Sequence, residues 1–307
     1  MKVAVTGASG FIGRQVCATL AAVGMMPKPV PRDLFTMAPR SSHSPDMPSR
    51  QLVQMLQGCS AVIHLAGLAH SSKYDWNELL EINVTATKRL ALACVEAGPS
   101  RLLFLSSLSV HGPVSNERIG PNTAVRPITD YGKSKAIAED ALEKISSSRG
   151  LCVLAVRAPL VCGYGAPGNL ELLRRAVSAG LPLPGSDWNR RDLVGLRNLS
   201  DLLTKALSVE DLGFLAAPVC DGTPVSTKTI LHCIALGANR RARVIDVSAK
   251  ALANVSTIPL LGSILNKMCS SLEVDASLAF NLLDFTPRWS TECELIRTGC
   301  AATTLNL

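Results

Sequence analysis

The stretch TDYGKSKAIAEDAL carries two side chains able to exchange protons. Tyr131 and Lys135 stand four residues apart at what reads as a helix start, so both project from one face, one turn from each other. An ammonium beside a phenol favours the phenolate. The pairing therefore predicts a Tyr131 pKa drawn down from about 10 towards the range of a working general acid or base. Tyrosine and lysine at this spacing also occur by chance on solvated helices, so the surroundings must give the pair its meaning. Upstream, FLSSLSVHG offers hydroxyls at Ser106, Ser107 and Ser109 at the carboxyl end of an apolar run.

A second constellation opens the chain. In MKVAVTGASGFIGRQV, Gly7, Gly10 and Gly13 recur every three residues between an apolar, β-branched run (Lys2 to Thr6) and an amphipathic one (Phe11 to Val23). Strand, glycine turn and helix follow in order. Glycine at such a junction permits positive φ and close approach to the backbone, and the N–H groups of the first helical turn favour an anion. The ligand this predicts is a pyrophosphate. A tight turn with close helix packing would also use this spacing, but its place directly after an N-terminal strand favours a dinucleotide.

Both constellations need elements to position them, and the chain alternates. AVIHLAG (Ala61 to Gly67), RLLFLSS (Arg101 to Ser107) and LCVLAVR (Leu151 to Arg157) read as strands. Trp76 to Glu96 and Asp130 to Ile145 read as helices. This predicts an α/β fold, a Rossmann-type doubly wound parallel sheet whose ligands sit beyond the carboxyl ends of the strands, where Gly7, Gly67 and Ser107 fall. After Arg157 proline and glycine loosen the rhythm. Residues 1–160 are therefore expected to form the dinucleotide-binding domain, and 161–307 a mainly substrate-binding region with some segments returning to the sheet. MPKPVPRD should be the second strand, yet prolines at 27, 29 and 31 remove donors from one edge, so it should pair on one side only, if it is not simply loop.

Composition sets limits. A chain of 307 residues with 47% hydrophobic content can bury a large core. Neither a signal peptide nor a stretch of membrane-spanning length is evident, so the expectation is a cytoplasmic protein. Ten scattered cysteines with no C-x-x-C pair, and no histidine at ligand spacing, predict buried thiols and no metal site. The net charge of +7 raises nucleic acid as a partner, but the arginine pairs lie far apart without interleaved aromatics, and an anionic small substrate accounts for it as well.

TGASGFIG, HLAG, LSSLSVHG and YGKSK, in this order and at these separations, resemble the extended short-chain dehydrogenase/reductases, in their nucleotide-sugar epimerase and dehydratase branch. GN at 168–169, GLPLPG at 180–185 and NRRDLV at 189–194 are similar to the substrate-side segments of UDP-sugar 4-epimerases and of bacterial enzymes that reduce sugar nucleotides for surface polysaccharide. The resemblance implies that Gly7, Gly10, Phe11, Ile12 and Gly13 form the pyrophosphate turn. It implies that Asp46 and Met47 lie on the adenine side, that Leu65, Ala66 and Gly67 line the cofactor, and that Asn83 scaffolds the active site. Ser107, Tyr131 and Lys135 become the catalytic group, with Tyr131 and Lys135 also touching cofactor. Asn169 and Leu170 contact the substrate diphosphate, and Arg191 grips it; a guanidinium can do so with two parallel hydrogen bonds. A homodimer through the helices Tyr74 to Glu96 and Asp130 to Ile145 is implied as well.

The sequence departs from the family pattern at His111 and Cys162, where tyrosine is usual; both read as packed residues rather than catalysts. Cofactor choice stays open between NAD and NADP. Asp33 has the spacing of a ribose-binding acid, while Arg32 beside it suits a 2′-phosphate. The function expected is epimerisation at C4 of a UDP-hexose through a 4-keto intermediate. The alternatives are NADPH-dependent 4-ketoreduction of a UDP-4-keto-6-deoxy sugar and, from another class, a non-catalytic dinucleotide sensor. The intact Tyr131 and Lys135 speak against the sensor. A dehydratase would be expected to carry threonine and an acid pair where Ser107, Leu108 and Ser109 stand.

Overall fold

A computed structural model describes residues 1–36, 47–69, 74–112, 118–209, 212–255 and 268–300. Six parallel strands form the main sheet: β1 (Lys2–Thr6), β2 (Met26–Val30), β3 (Ala61–His64), β4 (Arg101–Ser107), β5 (Cys152–Ala158) and β9 (Phe214–Pro218), in the order β2-β1-β3-β4-β5-β9. The chain leaves β1 for β2 on one side and later reaches β3 on the other, so the strand order reverses between β1 and β3. A ligand crevice opens at such a reversal, beyond the carboxyl ends.

Helices cover both faces, which is why the strands read as apolar runs rather than alternating ones. On one face Val3, Val5, Ile63, Leu103, Leu154 and Val156 pack with Val16 and Leu20 of α1 (Phe11–Ala22) and Leu199, Leu202 and Leu203 of α8 (Leu196–Lys205). On the other, Ala4, Val62, Leu102, Phe104, Val153 and Ala155 meet Leu52 and Leu56 of α3 (Arg50–Leu56), Leu90 of α5 (Ala86–Ala97), and Ala138 and Leu142 of α6 (Asp130–Arg149). A short helix α2 (Asp33–Thr36) follows β2.

As the prolines require, β2 has one partner among the described residues, β1, in the register Lys2↔Met26 to Thr6↔Val30. The helix expected over Trp76 to Glu96 is interrupted. α4 (Trp76–Leu79) runs into a wider π-helical segment, Leu80–Thr85, before α5 resumes. Such bulges in a helix often mark functional positions, and this one contains Asn83.

The later chain builds the wall opposite. β6 (Val161–Cys162) pairs with β8 (Val194–Gly195), and β7 (Pro182–Gly185) with β10 (Arg243–Asp246). α7 (Asn169–Ser178), α9 (Thr227–Gly237) and α12 (Thr291–Gly299) enclose a smaller core of Leu170, Val177, Leu231, Ile234 and Leu295. α10 (Ala249–Val255) follows β10, and α11 (Ser277–Leu283) leans on β9. Cys162 is fully buried in β6, and burial pushes its thiol up. Cys59, Cys94, Cys220 and Cys269 are buried too, whereas Cys293 is exposed. Among the described residues no helix is long and apolar enough to cross a membrane.

Candidate active site

The glycine turn is built by close approach. A Cβ on Gly13 would lie 2.0 Å from the Gly7 carbonyl oxygen and 2.7 Å from the Ala8 Cα, so only glycine lets α1 begin this near the end of β1. Gly7 itself takes a φ of +67°. Gly10 caps α1 without a side-chain acceptor, and no acid stands in the first turn, which leaves this helix start suited to an external anion.

At the end of β3, the Ala66 N–H donates to Thr6 Oγ1 (3.2 Å), which also bonds His64 Nδ1 (2.6 Å), while His64 Nε2 meets Thr87 Oγ1 (2.9 Å). Burial, with Lys135 adding to it, lowers the His64 pKa to about 3, so the ring is neutral. From the π-helical segment, Asn83 accepts from the Leu68 N–H (2.8 Å) and donates to the Leu68 carbonyl (3.1 Å) and to Ser134 Oγ (2.9 Å). Ser134 Oγ in turn donates to the Tyr131 carbonyl. One asparagine thus ties the chain after β3 to the first turn of α6. Spacing alone had no means of placing it there.

The start of α6 is fixed by Thr129, whose hydroxyl accepts from the Gly132 N–H (3.0 Å). A Cβ on Gly132 would lie 2.4 Å from the Ser109 carbonyl oxygen. The helix therefore begins against the turn that follows β4, and this brings Tyr131 beside Ser107, whose hydroxyl acts on the phenol and donates to Ser109 Oγ (3.1 Å). Lys135 is buried, donates to the Leu105 carbonyl (2.9 Å) and lies 4.5 Å from the Phe104 ring centre. Its pKa is lowered to about 8, chiefly by burial, with Glu139 opposing.

Here the structure corrects one expectation. The Tyr131 pKa is raised, not lowered: burial dominates, and the Ser107 hydrogen bond opposes it only in part. The reason is geometric and electrostatic. Lys135 spends its ammonium on a backbone carbonyl, and its own burial weakens its hold on the proton, so adjacency on the helix does not become a phenolate at rest.

A cavity of about 520 Å³ joins these groups, within the size usual for small-molecule sites. Its walls include Phe11 and Ile12 of α1, Leu65 and Gly67 after β3, Ser107, Tyr131, Lys135, and Asn169 at the start of α7. Leu68, Leu108, Leu160 and Leu272, none of them singled out by the motifs, add an apolar lining.

Other predicted residues fall elsewhere. Arg32 and Asp33 are exposed at the end of β2, and Ala66 stands between lining residues as a half-buried link. Met47 is exposed, and Asp46 lies outside the described residues. Leu170 is buried in the smaller core. Arg191 is half-buried and donates to the Ser270 carbonyl (2.7 Å), beside the cavity-lining Leu272 to which its backbone bridges. Glu139 and Arg157 are not among the site residues that the motifs mark. They form a buried ion pair directly behind Ser106 (Nη2 to Oε2, 2.7 Å). The signal was present at Glu139, one further turn along from Lys135.

A family model described as "NAD dependent epimerase/dehydratase family" matches residues 3–213. The chain belongs to that family.

It is accordingly an NAD(P)-dependent enzyme, and the glycine cradle, the small residues after β3 and the cavity wall fit a dinucleotide. This member is 29% identical over 245 residues to a UDP-glucose 4-epimerase of Vibrio cholerae, covering 76% of this chain and 73% of that one. Among solved structures, MoeE5 in complex with UDP-glucuronic acid and NAD is similar at 27% identity and a TM-score of 0.74, with 97% of each chain covered. RMD from Pseudomonas aeruginosa, complexed with NADPH, shares the fold at a TM-score of 0.76 and 20% identity, covering 97% of this chain and 96% of that one.

Proposed function

We propose that this family member epimerises C4 of a UDP-hexose through a 4-keto intermediate. The observation that carries the reading is the meeting of Ser107, Tyr131 and Lys135 with Asn169 on the walls of one cavity. Similarity to the Vibrio cholerae UDP-glucose 4-epimerase supports it.

When bound, the dinucleotide supplies the acceptor and donor of hydride at C4. As a phenolate, formed once its own proton has left to solvent, Tyr131 takes the proton of the 4-hydroxyl, and Ser107 beside it holds the same oxygen in line. Lys135 grips the ribose and lowers the cost of a transient phenolate. Asn169 and the N–H groups of the first turn of α7 hold the diphosphate, with Leu170 contributing backbone and Arg191 a guanidinium released from Ser270. The 4-keto sugar then turns over and takes its proton back from Tyr131 with the other face reduced. Two copies pair through the helical stretches Tyr74 to Glu96 and Asp130 to Ile145, where Ile137 is 39% exposed; sedimentation of a monomer at micromolar concentration would contradict this pairing.

Because Lys135 titrates at about 8, it is cationic below that pH and loses its charge as pH rises through it. The expected profile of kcat/KM has an alkaline limb near that value, which reports the free enzyme. Lys135→Met should remove the limb and lower the rate throughout. A limb that persists in that variant belongs to another group.

A second reading rests on Arg32, exposed beside Asp33 at the end of β2: a 2′-phosphate there would make the protein an NADPH-dependent 4-ketoreductase. One experiment separates the two. The epimerase should retain dinucleotide through purification and interconvert UDP-glucose and UDP-galactose, or their N-acetylamino counterparts, with no net change in nicotinamide absorbance. Consumption of one NADPH per 4-keto-6-deoxy sugar nucleotide, without interconversion of UDP-hexoses, would establish the reductase instead.

A further inference from the structure

A buried polar chain runs behind the proton-transfer group and ends on His111. Ser106, the neighbour of Ser107 in β4, donates its hydroxyl to Glu139 Oε1 (2.5 Å). Glu139 sits on α6 one turn beyond Lys135. Arg157, the register partner of Ser106 in β5, grips both Glu139 oxygens through Nε (3.2 Å each) and Oε2 through Nη2 (2.7 Å). Its remaining Nη1 faces His111 Nε2 at 3.4 Å, and His111 Nδ1 meets the Ala124 carbonyl at 3.1 Å. Ser106, Glu139, Arg157 and His111 are all 7% exposed or less.

The two contacts of the ring agree on one protonation state. Arginine only donates, so Nε2 must accept; a carbonyl only accepts, so Nδ1 must carry the proton. The charged side chains facing the ring are Arg157 of β5 and Glu139 of α6, and the loop across it presents the backbone of Ala124 and Thr123. Burial and Arg157 lower the His111 pKa, against the opposing effects of those backbone groups and of Glu139. An imidazolium would turn a second N–H towards the guanidinium.

The loop that Ala124 belongs to is also tied to the segment that reaches the cavity wall. The Arg126 N–H bonds the Val110 carbonyl (2.9 Å), the Ile119 N–H bonds the Glu273 carbonyl (2.8 Å), and the Asp275 N–H returns to the Ile119 carbonyl (2.8 Å). Leu272, next in that segment, lines the cavity. His111 is therefore the point at which this loop meets the Arg157–Glu139 pair that braces the end of β4.

We propose that His111 is a positioning residue: as a neutral imidazole protonated on Nδ1, it clamps the 118–128 loop to Arg157 and so holds Ser107 and the substrate-side wall in register. The proposal rests on the assignment of Ser107 and Tyr131 as the reacting group. Loss of the clamp displaces groups whose alignment sets the rate, rather than removing a group that reacts.

Imidazole nitrogen shifts of the 15N-labelled full chain at neutral pH should show His111 as the Nδ1–H tautomer. An Nε2–H tautomer or an imidazolium there would overturn the proposal, whatever the activity. His111→Phe keeps an aromatic ring, slightly larger, but neither hydrogen bond, and should lower kcat on UDP-glucose or UDP-N-acetylglucosamine by roughly tenfold or more. His111→Gln can still accept from Arg157, and should recover part of that loss while removing an acid limb from the kcat profile. If His111→Phe lowers only the melting temperature, with kcat and pH profile unchanged, the residue is structural and the proposal fails. Should the wild type turn over neither sugar nucleotide, the functional reading fails while the tautomer still decides the clamp.

Discussion

Tyr131→Phe is expected to reduce turnover by a factor of about a hundred or more, the scale of a lost general acid or base, with dinucleotide affinity nearly unchanged. The substitution removes one oxygen. Its ring stays packed at the start of α6, where Thr129 caps the helix and Gly132 seats it against the Ser109 carbonyl. Ser107 loses a phenol partner but keeps its bond from the Ser109 N–H (3.1 Å), so the hydroxyl stays in place. The raised Tyr131 pKa sharpens the expectation. A phenol that is protonated at rest must give up its own proton before it can take that of the 4-hydroxyl and later return it, and the variant can neither give nor take one. Steady-state rates with parallel titration of NADH or NADPH make the measurement. An equal loss of dinucleotide affinity would show that the hydroxyl is part of the binding wall instead.

Gly13→Ala should be the most damaging single methyl added to the glycine turn. Its Cβ would stand 2.0 Å from the Gly7 oxygen and 2.7 Å from the Ala8 Cα, both backbone atoms that no rotamer can move aside. Either α1 shifts away from β1 or the glycine turn opens. The first loosens Val16 and Leu20 from the sheet core, and the second spoils the anion site. Overpacking of this kind costs about 1–3 kcal/mol, occasionally more, and dinucleotide affinity should fall with it. Gly10→Ala is the informative control: its Cβ would come within 3.1 Å of the same oxygen, and its φ of −73° suits any residue. Thermal melting and calorimetric titration with NADH should therefore rank Gly13→Ala far below Gly10→Ala. Variants that melt alike and bind alike would mean that the turn yields to the added methyl and that close approach does not hold it.

The amino-acid sequence by itself determined the α/β class, the order of the first five strands of the sheet along the chain, and the pairing of β2 on one side. These follow from periodicity, from apolar runs covered on both faces, and from proline's missing N–H, all local properties. Glycine spacing likewise marked the turn after β1, since a backbone approach closer than a Cβ permits leaves glycine as the one residue that fits.

Tertiary structure decided the electrostatics and the second layer of the site. Tyr131 and Lys135 share a helix face as their spacing requires, yet burial reversed the expected direction of the tyrosine pKa, because burial is set by everything packed around the pair. Asn83 reaches Leu68 and Ser134 from the segment Leu80–Thr85, where the helix that carries it widens. Leu170 went to the smaller core, and Arg191 to the Ser270 carbonyl. His111, Glu139 and Arg157 lie on separate elements, and none is exceptional in its own segment. They become one device because the sheet register sets Ser106 beside Arg157 and α6 lays Glu139 across both. Spacing along a chain reports which face a residue occupies; which partners meet it there depends on how distant elements dock, and docking is fixed by the summed packing of the whole core.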